Sequence, residues 1–594
     1  MKHLIFLLLT AFLPLTVTAQ KGKVTTSYTI SFENAVHHEA EILAVFSNLK
    51  GNKASFRMSR TSPGRYAIHE FAKNVYNVKV TDGKGNILNA TRPDPYSWNV
   101  EGHDGTVQVS YTLFANRGDG TYTQVDETHA HLNMPATFMY MPALADKAMQ
   151  VTFKPRQDLN WKVATQLENK GNDTYYAMDL QYFMDSPTEV SNHSIRSFDV
   201  DKQTVNFVLH HNGTEAELDT YFEDVKKIVL QQKEVFGELP SYDYGAYFFL
   251  ACYIPNASGD GMEHRNSTIL TSTRSLADGG LQRNIGTVSH EFFHGWNVER
   301  IRPSDLEPFD FETANMSEAL WFAEGFTSYY TSLMMRRAEL LSKKDYIQGL
   351  TRTFNYVWNS PARQFFNPIE MSYQAPFVDA ATAVDPVNRN NTFISYYSYG
   401  SALGLALDLS LREKNLNLDD YMKLVWKKHG KKEKPYTVED LHELLKDYAG
   451  EAFGDYFFQN YIYKSNMPEM QRLFESVGVS LSQDGSKASF GVSVTNGAIT
   501  QNTTIGTAAY KAGLENGDKI ITINNTAITP ENSFNDILSG LSPNDVLRIT
   551  YERYGVTKET TATLQQDPSY TIELDTNVSD KKVLKRRDLW LNPK

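Results

Sequence analysis

Between residues 24 and about 195, apolar and polar positions tend to alternate, as in Thr106-Val107-Gln108-Val109-Ser110-Tyr111. A period of two puts every second side chain on one face of a strand, and turn signals such as Asp82-Gly83 and Asp119-Gly120 separate the runs. The pattern predicts a β-sandwich. Past Thr214 the period lengthens. Leu218, Tyr221, Phe222, Val225, Ile228 and Val229 fall on one helical face, with Gly237 just beyond the end. An apolar strand is expected over 247–254, and helical spacing then dominates from 285 to about 463. Asn315 and Glu318 have the spacing of a capping box, opening a helix that carries Trp321, Phe322 and Glu324. Strand patterns return from about 490 to 564, with a short helix over 533–541 between strands at 518–524 and 546–551.

A chain of 594 residues is too long for one hydrophobic core, so several domains are expected. Its 41% hydrophobic and 22% charged residues are those of a globular protein and exclude disorder. The net charge is -12, and no basic run is long enough to follow a phosphate backbone, so nucleic acid is not an expected partner. The most basic stretch, 581–587, is expected to be part of a solvated tail. At the N-terminus Lys2 and His3 precede an apolar run over 4–15 and the small-residue pattern Val17-Thr18-Ala19. This reads as a signal peptide over 1–19 and an exported protein, periplasmic or extracellular. The run is short for a bilayer span, and no later segment has the length of a transmembrane helix. The single cysteine, Cys252, forbids an intrachain disulfide and lies in the apolar strand, where a buried structural thiol is expected.

The chemistry concentrates at His290-Glu291-Phe292-Phe293-His294. Histidines four apart on a helix stand one turn apart on one face and can meet one metal ion. Glu291 is offset from that face, suited to take a proton from a water that zinc has acidified. A third ligand is needed, and Glu324 on the following helix is favoured over Glu318, whose place in a first turn already suits a carboxylate. One Zn2+ per chain, on His290, His294 and Glu324, is the expected cofactor.

Four stretches carry a resemblance to the glycyl aminopeptidase family of PDZ-carrying gluzincin zinc metallopeptidases. They are Gly261-Met262-Glu263-His264-Arg265-Asn266-Ser267, then HEFFHGWNVERIRP from His290 to Pro303, then WFAEGFTSYY from Trp321 to Tyr330, then SYYSYG from Ser395 to Gly400. Ser62-Pro63-Gly64 and Phe71-Ala72 resemble the family's N-terminal domain, and Ala508 to Leu514 with Gly517-Asp518 resembles a PDZ domain. The resemblance implies a multidomain α+β protein. Residues 20–195 are then the N-terminal β-sandwich, 196–475 a thermolysin-like mixed α/β and helical catalytic domain, 485–568 the PDZ domain and 569–594 the tail. It implies that Glu263 holds the free α-amine of a peptide and that Tyr397 donates a hydrogen bond to the oxyanion. Tyr399 stands where the family has lysine, which leaves Tyr396 and Tyr399 as rivals of Tyr397.

The expected function is hydrolysis of the N-terminal bond of peptides, with Gly or Ala favoured at the N-terminus by resemblance. A zinc endopeptidase, or a catalytically silent protein binding peptide C-termini at its PDZ domain, are the alternatives. The pair His129-Ala130-His131 places two rings on one strand face, but no third ligand for a second metal is evident beside it. There is no Gly-x-Ser-x-Gly, so a serine mechanism has no motif behind it.

Overall fold

In a computed structural model, which describes residues 23–379, 385–530 and 533–594, alternation becomes strand and helical spacing becomes helix. The expected signal peptide lies outside the described residues. The N-terminal region is built on a seven-stranded sheet centred on the antiparallel pair Thr26–Ser31 and Glu39–Ser47. Ala40, Ile42, Ala44 and Phe46 point inward along the second of these, and Val107, Val109 and Tyr111 do so on its neighbour Thr106–Phe114. They pack into a core with Tyr28, Phe56, Trp98, Phe138 and Phe183. A separate four-stranded sheet includes His129–Leu132 and Thr188–Ser191 and borders the next domain.

That domain opens with a five-stranded sheet, ordered Ser194–Val200, Gln203–His211, Ala246–Tyr253, Ser267–Ser272 and Asp260–His264. Helix Glu215–Phe236 connects two parallel strands and buries the face foreseen from its spacing. It begins at a true capping box, Thr214 with Glu217, and ends on Gly237 at φ 87°. A largely helical layer then carries helices Ile285–His294, Leu320–Arg337 and Tyr396–Glu413. The helix expected to start with an Asn315–Glu318 box is capped differently. Asn315 closes a turn on Asp310, Glu318 is exposed, and Ser372 Oγ accepts from the Trp321 amide at 3.0 Å. The cap comes from a distant helix, Pro368–Tyr373, which local spacing could not show.

The region expected to be a PDZ domain has its own small core, including Phe490, Ile499, Leu514, Ile520, Phe534, Leu547 and Leu564. It is rooted on two adjacent antiparallel strands, Val479–Gln483 and Tyr570–Leu574. The C-terminal segment is not a solvated tail. After Tyr570–Leu574 it forms helix Lys581–Leu591, whose lysines are exposed while Arg587 donates to the Asp575 carbonyl and Trp590 and Leu591 are fully buried. Trp590 donates its indole N–H to the Tyr329 hydroxyl at 2.9 Å, and Lys594 reaches Asp419. Among the described residues no helix is long and apolar enough to cross a membrane.

Candidate metal and peptide site

Helix Ile285–His294 buries Val288, Phe292 and Phe293, and Phe292 packs on Tyr247 and Phe249 of the sheet. With that face fixed, His290 and His294 turn to the opposite side, and their Nε2 atoms approach to 3.2 Å. Their outer nitrogens are committed. His294 Nδ1 donates to the Asn297 carbonyl at 2.6 Å. His290 Nδ1 lies 3.0 Å from Thr331 Oγ1, whose own proton goes to the Thr327 carbonyl, so the ring is the donor there as well. In the neutral form that a metal ion requires, both rings therefore present Nε2 lone pairs to a common point.

Glu324 meets them from helix Leu320–Arg337. Its Oε2 lies 3.2 Å from His294 Nε2 and 3.7 Å from His290 Nε2, and Tyr66 donates its hydroxyl to Oε1 at 2.7 Å. Tetrahedral zinc with bonds of about 2.0–2.1 Å has ligand–ligand edges of about 3.3 Å. Two facing lone pairs and a buried carboxylate oxygen at these separations fit a divalent cation. Glu318, the rival ligand, is exposed and is not grouped with them.

Helix Tyr396–Glu413 crosses the Glu324 helix with backbone against backbone. A Cβ on Gly325 would lie 2.3 Å from Gly400 Cα, and a Cβ on Gly400 would lie 1.8 Å from the Trp321 carbonyl oxygen. Only glycine at both positions permits this approach. The crossing brings the Tyr397 ring to 6.0 Å from that of His290. Tyr396 stacks on Tyr397 and meets Tyr66 edge-on. Tyr399 is buried on another side of the helix, towards Arg363 and Ser465, and is not part of the site.

Glu263 and Glu291 flank His294 on its other side, the three offering ligand-type atoms within 4.8 Å of one another. Glu291 lies against Gly261, where a Cβ would come within 2.2 Å of its Oε1. Burial, with Glu263 close by, pushes the Glu291 carboxyl well above its usual range. Glu263 stands on strand Asp260–His264 and is 7% exposed. Its neighbours are engaged elsewhere: His264 with Asp185, and Arg265 with Asp243 and Glu433, each at 2.8 Å. Among the described residues no cationic side chain forms a salt bridge with Glu263, and burial raises its carboxyl. Six expected residues, His290, Glu291, His294, Glu324, Glu263 and Tyr397, thus converge. Sequence reasoning missed Tyr66 and Arg65, which pairs with Asp260 beside the cleft. The signal was their place directly after Ser62-Pro63-Gly64.

Comparison with known proteins agrees with this architecture. Residues 27–192 match the Peptidase M61 N-terminal domain, 283–403 the M61 glycyl aminopeptidase domain and 476–564 a PDZ domain. Comparison with curated proteins gives no match. The fold is similar to that of an aminopeptidase N family protein from Idiomarina loihiensis, at 23% identity and TM-score 0.83, over 96% of this chain and 100% of that one. An M1 zinc metallopeptidase from Deinococcus radiodurans superposes more loosely, at 12% identity and TM-score 0.43, over 76% of this chain and 96% of that one. The chain therefore carries M61 N-terminal and M61 glycyl aminopeptidase domains and is a metallopeptidase with an attached PDZ domain.

Proposed function

We propose that the chain is a zinc aminopeptidase that hydrolyses the first bond of peptides with a free N-terminus, favouring Gly or Ala there. The observation carrying this reading is Glu263, a buried carboxylate with no salt-bridge partner among the described residues, beside the His290–His294–Glu324 set. An isolated buried carboxylate is costly unless something cationic meets it, and a peptide's α-ammonium is a cation that arrives with the substrate. Anchoring the amine there fixes its distance from the metal site, which limits cleavage to the first bond. The preference for a small first residue rests on the family resemblance.

His290, His294 and Glu324 would hold the ion, which when bound polarises a carbonyl and acidifies water. Glu291 accepts the proton of the attacking water and passes it to the departing amine. Burial raises the affinity of its carboxyl for a proton, in keeping with a group that takes one up. Tyr397 donates its hydroxyl to the oxygen that gains charge as the carbonyl is attacked. The PDZ domain would take a peptide C-terminus by strand addition at a sheet edge.

The test is kcat/KM for matched glycyl peptides, free and N-acetylated, in the wild type and in Glu263→Ala. The wild type should cut the acetylated peptide very poorly. Glu263→Ala should damage cleavage of the free peptide greatly and leave the acetylated one almost unchanged. Equal cleavage of both peptides by the wild type overturns the exopeptidase reading and leaves an endopeptidase.

A further inference from the structure

A second group of buried donors lies where the four-stranded sheet of the N-terminal domain meets the five-stranded sheet of the catalytic domain. His129 and Glu189 come from the antiparallel strands His129–Leu132 and Thr188–Ser191. His210 and Cys252 are partners in register on the parallel strands Gln203–His211 and Ala246–Tyr253. His129, Glu189 and Cys252 are at most 1% exposed and His210 is 9% exposed.

The donor atoms face one another. Cys252 Sγ lies 3.4 Å from His210 Nδ1 and 3.5 Å from His129 Nδ1. Tetrahedral zinc with bonds of about 2.0–2.1 Å to nitrogen and 2.3 Å to sulfur has a nitrogen–sulfur edge of about 3.5 Å. Glu189 Oε1 lies 3.4 Å from the His129 nitrogen and 3.9 Å from that of His210. The tautomer of His129 is fixed from outside. Its Nε2 faces Gln124 Oε1 at 3.1 Å, and the Gln124 amide is oriented by its Nε2 donating to the Asn256 carbonyl. A neutral His129 must therefore donate through Nε2, which leaves an Nδ1 lone pair aimed at a sulfur and a carboxylate. An Nδ1 facing a carboxylate at 3.4 Å calls for a cation between them, either a proton or a metal ion.

We propose that His129, His210 and Cys252 hold a second metal ion, a thiophilic divalent cation of the zinc type, with the Glu189 carboxylate as the adjoining fourth group. Two nitrogens and a thiolate are the donor set that such ions select over magnesium or calcium. Burial on all sides makes it a structural clip between two domains, unlike the metal site facing Glu263. His131 supports it from outside. Its ring bridges Glu189 Oε2 and the Asp119 carbonyl at 3.1 Å each, so the two histidines of His129-Ala130-His131 do not share an ion.

Sulfur makes the two sites distinguishable, because the site of His290, His294 and Glu324 offers only nitrogen and oxygen. The full chain is purified without chelators for metal analysis, and the same protein is reconstituted with Co2+. Two ions per chain and a near-ultraviolet thiolate-to-cobalt charge-transfer band are expected. Cys252→Ser should lose the band and one ion. His294→Ala should lose the other ion and keep the band. Wild-type protein with no thiolate band overturns the proposal, and this measurement needs no variant to fold. A band with only one ion per chain supports the clip and counts against the catalytic-site assignment instead.

Discussion

Tyr66 donates its hydroxyl to Glu324 Oε1 at 2.7 Å, joining a loop of the N-terminal domain to the carboxylate that completes the proposed metal site. The remaining oxygen, Oε2, is thereby turned towards His290 and His294. Outer partners of this kind hold a ligand in its binding rotamer. Tyr66→Phe should weaken zinc binding by about 10–100-fold, read by titration against a competing chelator. Unchanged affinity would show that Tyr66 is only packing against Tyr396.

Glu291 is offset from the His290–His294 face and lies against Gly261, so its loss should not release the ion. Glu291→Gln is expected to retain zinc while kcat falls by at least about 10²–10⁴-fold, the range of a lost general base. Zinc loss in that variant would make Glu291 a ligand and require a different base.

Tyr397 and Tyr399 are two positions apart on one helix, yet only the first faces His290. Tyr397→Phe should lower kcat by about 10²–10³-fold with little change in KM, the pattern of an interaction made in the transition state. Tyr399→Phe should act on stability and leave kcat close to wild type. The reverse result would put the helix register of the site in error.

Legibility followed the range of each interaction. The spacing of His290 and His294 is a local property of a helix, and it sufficed to find them. Glu324 and Tyr397 came from family motifs, whose glycines turn out to be the crossing point Gly325 against Gly400. Tyr66 is 258 residues from its partner Glu324, and His129 is 123 residues from Cys252, so no local pattern could join either pair. The C-terminal helix was misread because its lysines are exposed while its anchors, Trp590 and Leu591, follow at the very end.

The arrangement of the C-terminal fifth separates two deletions. Strands Val479–Gln483 and Tyr570–Leu574 are adjacent, so excising 485–567 and joining the ends with a short Gly-Ser turn leaves their pairing intact. That variant should keep zinc and cleave short reporter peptides near the wild-type rate. Truncation after 579 removes Trp590, which is fully buried against Tyr346 and hydrogen-bonded to Tyr329 on the Glu324 helix. Losing a buried tryptophan costs about 3–5 kcal/mol. The truncated chain should therefore show a lower Tm and weaker zinc retention than the internally deleted one. Equal stability of the two would make the helix dispensable.

The same docking should give stability a pH dependence of known sign. Asp419 is 1% exposed and accepts from Arg337 Nη1 and the Tyr330 hydroxyl at 2.8 Å each, with Lys594 Nζ at 2.5 Å. Burial alone would raise its carboxyl, but Arg337 and Lys594 outweigh it and hold the group well below the usual carboxylate range. A depressed folded-state pKa means that the unfolded chain takes up the proton first. The stabilisation is then complete above the unfolded value of about 3.9 and fades as pH falls below it towards the folded value. Asp419→Asn leaves the buried Arg337 without its anion, a loss of about 3–5 kcal/mol at neutral pH. The gap in Tm between wild type and variant should be constant from neutral pH down to about 5 and narrow below about 4. A gap that stays constant through that lower range would mean that Asp419 acts through the shape of its hydrogen bonds and not through its charge.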